Sequence, residues 1–154
     1  MWQKTKPRHL WNIKFVKMEN IKGVLVPTDF SPTAWKAVMT GIRLAKGSNS
    51  PLTLMHITPY TSDSQYVEEI DTKLRNISEN LSGLYSLNVK SVIGYGDRLE
   101  AITNFIREAG AEIIVMGLNG TGSNEIGSMT GEMLRHLECP VVVVPAMENS
   151  SIPA

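Results

Sequence analysis

The sequence predicts an α/β domain: a doubly wound, five-stranded parallel sheet with helices on both faces and strand order 3-2-1-4-5. Three observations carry this expectation. From Lys22 onward, short β-branched apolar runs alternate with longer stretches of helical spacing, the pattern of parallel strands covered by crossover helices. The 154 residues, 42% hydrophobic and 19% charged, match one globular domain able to bury its own core. Right-handed crossovers leave few arrangements for a β-α-β-α-β-α-β-α-β order, and the doubly wound sheet is the simplest.

Each element has its own signal. The first strand is expected at GVLVPTD, residues 23–29, stopping near Pro27, whose missing amide suits the end of a ladder. Ser31 and Pro32 read as N-cap and first helical residue. Ala34, Val38, Gly41 and Ala45 then recur at helical spacing, giving a small-residue face for the sheet. Residues 47–50 predict the turn into PLTLMHI, residues 51–57, the second strand. Val67, Ile70, Leu74, Ile77, Leu81 and Leu84 repeat three and four apart. That pattern fits a coiled coil or one amphipathic helix on the sheet, and the strands on either side favour the helix. Residues 89–93 form a short third strand, GYGDR turns the chain, and Asp97 with Glu100 makes a capping-box-like pair. Ile102, Phe105, Ile106 and Ala109 define the buried face of the next helix, which Gly110 stops. EIIVMG, residues 112–117, is apolar on both faces, as a central parallel strand should be. The last helix lies within residues 127–137 with Met133, Leu134 and Leu137 inward, and VVVVP, residues 141–145, is the final strand.

Charge and composition exclude several classes. The formal net charge is +0, but Lys4, Lys6, Arg8, Lys14 and Lys17 precede the first acidic residue, Glu19, leaving ten basic against fifteen acidic residues from position 19 onward. A mildly acidic body lacks the electrostatic footprint of a nucleic-acid binder. No apolar run approaches the roughly 20 residues of a membrane span, and residues 1–18 lack the apolar core and cleavage site of a secretory signal. A cytoplasmic protein is expected. Cys139 is the single cysteine and reads as an inert, packed thiol at a helix end. Three regions are expected: a basic leader or extra arm over residues 1–18, a domain over 19–147 and a tail over 148–154. Met18 stands just before the first regular strand, so residues 1–17 fit an alternative start, an added leader or an arm. Trp2, Trp11, Phe15 and Val16 would be costly to leave in water, and docking on the body or on a second subunit would cover them.

In a doubly wound sheet, ligands bind beyond the carboxyl ends of the strands where strand order reverses. The segment that follows the fourth strand carries glycines at 117, 120, 122 and 127 and hydroxyls at Thr121, Ser123, Ser128 and Thr130. Glycines let backbone amides approach an anion, and a helix starting near Gly127 offers unpaired N–H groups with a favourable dipole. The pattern fits a phosphate cradle, and it fits a flexible glycine-rich connector as well.

Taken with its surroundings, the segment becomes more specific. VMGLNGTGSNEIGSMT followed by LRHLECPVVVVP resembles the carboxyl-terminal signature of the universal stress protein family, in which G-x-x-G, a linker and G-[S/T] wrap the phosphates of ATP. VLVPTDFSPTA is similar to that family's opening strand and turn, LTLMHITP to its second strand, and Gly96-Asp97 to its third-strand loop. The resemblance covers about residues 22–146 and implies a Rossmann-like fold of the adenine nucleotide alpha hydrolase type. By this resemblance Asp29 contacts the adenosine part of the ligand and Ile57 offers backbone atoms to adenine. Gly117 and Gly120 shape the loop, while Gly127, Ser128 and Met129 bind phosphates through backbone amides. Pro27, Thr28, Met116, Asn119 and Thr130 complete the implied site. The bare residues leave a second role for Asp29, capping the turn beside Ser31.

One departure from the family pattern stands out. The nucleotide-binding members have G-x2-G-x9-G-[S/T], whereas six residues, including Glu125, separate Gly120 from Gly127. The resemblance implies ATP as ligand, with Mg2+ or Mn2+ bridging phosphates as an option, and a homodimer through the last strand, Val141 to Val144. The shortened loop keeps open a family member that works by protein contacts without nucleotide; slow ATP hydrolysis is a third reading. No catalytic constellation stands out. His56 lies in an apolar strand and reads as a core or backbone-contacting residue, His136 suits a helix end, and His9 lies in the leader. No Cys/His metal spacing, Walker lysine or G-x-S-x-G is present, so an efficient hydrolase or kinase is not expected.

Overall fold

A computed structural model describes residues 22–118 and 126–145. The leader, its aromatic residues and the carboxyl-terminal tail lie outside the described residues. The elements are β1 (Val24–Pro27), α1 (Pro32–Ser48), β2 (Leu52–Thr58), α2 (Ser64–Tyr85), β3 (Val89–Tyr95), α3 (Arg98–Ala109), β4 (Ile113–Gly117), α4 (Ser128–His136) and β5 (Val141–Val144). The five strands are ordered β3-β2-β1-β4-β5 and pair in parallel, the expected architecture.

Strand periodicity sorts the core into two halves. Val24 and Val26 of β1 pack with Ala37, Val38, Ile42 and Ala45 of α1 and Leu74 and Leu81 of α2. Leu25, pointing the opposite way, packs with Ile102 of α3 and Met133 of α4. Each fully buried side chain of this kind stabilises the fold by about 1.5–3 kcal/mol. The small-residue face of α1 has a direct cause: a Cβ on Gly41 would sit 2.7 Å from Val26 Cγ2, so glycine lets the helix approach the central strand.

β1 stops at Pro27, as expected, where its register with β2 ends at Pro27↔Met55. Other boundaries differ from expectation. α1 runs on through Gly47 to Ser48 and is closed by Asn49 in left-handed geometry (φ 52°), so the turn into β2 is shorter than residues 47–50. β3 extends to Tyr95, pairing with β2 through Thr58↔Tyr95. α2 is one amphipathic helix, but Leu84 is 74% exposed. The inward stripe runs Leu74, Ser78, Leu81 and Tyr85, and Leu84 lies about a quarter turn off it. In α4 the stripe is Thr130, Met133 and Leu137, leaving Leu134 exposed for the same reason. Ala109 ends α3 and is also exposed. Among the described residues, no helix is long and apolar enough to cross a membrane.

Candidate functional site

A cleft of about 440 Å³ opens at the carboxyl end of the sheet, within the roughly 300–1,000 Å³ typical of small-ligand sites. It lies over β1 and β4, where strand order reverses: the chain leaves β1 toward β2 and β4 toward β5.

The turn after β1 builds one wall. The Asp29 carboxylate accepts a hydrogen bond from the Ser31 amide at 2.9 Å, and Ser31 Oγ caps α1 by accepting from Ala34 N at 3.1 Å. Between them Phe30 takes a left-handed conformation, φ 64°, which for a bulky residue costs roughly 1–3 kcal/mol. Its surroundings hold it there. The Phe30 amide donates to Thr28 Oγ1 at 3.1 Å, its ring stacks on His56 at 5.0 Å between centroids, and Lys73 Nζ lies over the ring, 4.2 Å from its centroid. His56 Nδ1 is 2.9 Å from Thr28 O; a carbonyl only accepts, so Nδ1 donates. This agrees with the expected backbone-contacting role of His56. The turn is thus pinned, with the exposed Asp29 carboxylate both closing it and lining the cleft.

The β2 wall offers backbone. Thr28 N donates to Met55 O, so residue 55 faces β1, and alternation makes Ile57 face the same way. The β1–β2 register stops at Pro27↔Met55 while β2 continues against β3 to Thr58. Ile57 therefore presents its amide and carbonyl on the cleft side, past the end of β1.

The third wall comes from β4 and α4. A Cβ on Gly117 would fall 2.5 Å from Thr33 Cγ2, so only glycine lets the strand end this close to α1. Leu118 N donates to Val144 O at 2.7 Å, and Gly127 N to Leu118 O at 2.9 Å. Thr130 Oγ1 donates to Gly117 O at 2.9 Å. These bonds fasten the start of α4 beside the strand. The Gly127 amide, one of those implied to meet a phosphate, donates to Leu118 O within the loop. Gly127 is the N-cap of α4 and supplies no side-chain cap. The first-turn amides of Ser128 and Met129 have no intrahelical acceptor by position, and no acceptor meets them among the described residues.

The cleft brings together ten of the twelve residues marked in the sequence: Pro27, Thr28, Asp29, Ile57, Met116, Gly117, Gly127, Ser128, Met129 and Thr130. Asn119, Gly120 and Glu125 lie outside the described residues. Ser31, Ala34, Met55, His56 and Arg98 also line it and were not marked as site residues. Ser31 and Ala34 follow from the cap, and Met55 and His56 from strand alternation; Arg98 had only its place after Gly96-Asp97. The chemistry of the set is a carboxylate, open strand backbone and uncapped helix amides, with Arg98 also on the lining. It suits a ligand bearing hydroxyl or amine donors and a phosphate. No three His, Cys, Asp or Glu residues gather as a metal site among the described residues. Cys139, half-buried against the α3–α4 side of the core, has its thiol pKa raised by burial, in keeping with an inert role.

A doubly wound α/β protein with an anion-suited cleft at its switch point is the class that fold and site define. Residues 20–145 match the model of the universal stress protein family, and the chain belongs to that family. It is similar to a putative universal stress protein of Staphylococcus epidermidis, 27% identical over 146 residues, covering 85% of this chain and 88% of that one. Among solved structures, the universal stress protein UspA from Lactobacillus plantarum superposes with TM-score 0.70 at 22% identity, covering 81% of this chain and 98% of that one. The same fold is shared by a universal stress protein in complex with cAMP (TM-score 0.66, 20% identity, 82% and 99% covered). It is shared also by one from Archaeoglobus fulgidus in complex with dAMP (0.67, 16%, 81% and 98%).

Proposed function

We propose that this protein binds an adenine nucleotide, ATP foremost, in the cleft and acts as a regulatory module of the stress response, signalling by occupancy and not by fast turnover. One observation carries the reading: the uncapped start of α4 leaves the Ser128 and Met129 amides without acceptors among the described residues, in a cleft of nucleotide size. A helix N-terminus in this state attracts phosphate. The adenine mononucleotides named with two proteins of the same fold support it. Asp29 and the Ile57 backbone would take the ribose and base. Mg2+ or Mn2+ bound here would be held chiefly by the phosphates themselves. The same reading places the protein in the cytoplasm, without nucleic-acid or membrane partners.

A homodimer is part of the proposal. β5 is an edge strand of four valines, three of them only half-buried, and such an edge needs a covering partner. Purified protein, denatured and analysed for released nucleotide and then titrated with ATP by calorimetry, tests the central reading. Saturable heat is expected. Folded protein with neither released nucleotide nor heat would contradict it and leave the protein-contact reading standing.

A further inference from the structure

Arg98 belongs to no motif, yet it lines the cleft. It is the first residue of α3, directly after Asp97, whose carboxylate accepts from the Glu100 amide at 2.9 Å. Its position is electrostatically unfavourable, because a cation in the first turn faces the positive end of the helix dipole. Asp97 and Glu100 carry carboxylates at the same helix start, but neither pairs with it. Among the described residues no carboxylate lies within ion-pair distance of its guanidinium; the ion pair they contain joins Arg75 to Asp71. The neighbours three and four residues along its own helical face are Ala101 and Ile102, neither of them charged. α3 and α4 pack against each other on one face of the sheet, so Arg98 and Ser128 open two adjacent helices at the same end. The cleft's remaining lining charge is the Asp29 carboxylate, on the turn after β1.

A guanidinium is always charged, and its planar fork matches two phosphate oxygens at once. We propose that Arg98 makes this cleft selective for polyphosphate ligands, pairing with phosphates whose inner oxygens meet the α4 amides. The proposal rests on the nucleotide reading of the same site. Its fixed charge gives a preference for nucleotides of higher charge that the neutral backbone amides set less steeply.

Calorimetric titration of the native protein, Arg98→Ala, Arg98→Lys and Arg107→Ala with ATP, AMP and adenosine tests it. Arg98→Ala is expected to weaken ATP about tenfold or more, the loss of a charge-assisted contact, while leaving adenosine within about twofold. Arg98→Lys should recover part of the ATP affinity. Arg107→Ala removes the same charge from the last turn of α3 and should leave ATP within about twofold. The melting temperature of Arg98→Ala should equal or exceed the native value, since the helix start loses an unfavourable charge. Equal factors on ATP and adenosine, or no change in either, would overturn the proposal. Should the native protein bind no nucleotide, the nucleotide reading fails, and inorganic tripolyphosphate becomes the probe. Binding that Arg98→Ala loses would uphold Arg98 as an anion contact; no binding, or equal binding by the variant, would overturn it.

Discussion

α3 and α4 begin side by side at the carboxyl end of the sheet, and they close their first turns in opposite ways. α3 is capped by its own Asp97, as α1 is by Ser31 and α2 by Asp63. α4 starts at Gly127, with no side-chain cap. Both helices pack on the same core cluster, so burial does not account for the difference. A side-chain cap satisfies first-turn amides at all times, whereas a glycine cap leaves them to solvent or a ligand. Among the described residues, three helices put local stability first, and α4 keeps an open polar end inside a cleft.

Closing that open end should give the largest effect. Gly127→Asp supplies the missing cap from a backbone already extended (φ −59°, ψ 153°). Its carboxylate would meet the amides that a phosphate needs. ATP affinity measured by calorimetry should fall at least about tenfold, roughly 1.4 kcal/mol, while the melting temperature holds or rises, because Gly to Asp at an N-cap gains a few tenths of a kcal/mol. Unchanged ATP affinity would break the comparison.

Opening a closed helix start is the converse. Asp97→Ala should destabilise the fold by about 1 kcal/mol in chemical denaturation, with ATP affinity changed less than by Gly127→Asp. A larger binding loss would mean that the cap, and not the open end, organises the site.

The smallest effect concerns the far end of α4. Burial raises the Cys139 pKa, so at neutral pH its thiolate fraction is below that of a free cysteine and its reaction with a disulfide reagent should be slower. The rate should rise as pH increases and be the same in Gly127→Asp. A changed rate would show that alteration at one end of α4 reaches the other.

Much of this architecture is legible in the sequence because its signals are local. The strands announce themselves by β-branched runs, and Ser31 and Asp97 start helices and Gly110 ends one by chemistry that needs no tertiary context. The errors arise where a stripe must be placed to within a quarter turn: Leu84 and Leu134 fit the periodicity yet face outward. In the site, the motif glycines and hydroxyls locate the cleft, but the hydrogen-bond partners do not follow from it. That the Gly127 amide bonds to Leu118 O is visible only in the folded loop. Phe30 and His56 meet only once β1 and β2 are paired, and Arg98 joins the cleft only through the crossover that sets α3 beside α4.

The open first turn of α4 can be observed directly. Backbone amide resonances of ¹⁵N-labelled protein, followed during titration with ATP, should show Ser128 and Met129 among the most strongly shifted, with Asp97 and Glu100 moving less. Saturation of the protein with those two amides unmoved would contradict the phosphate site at α4.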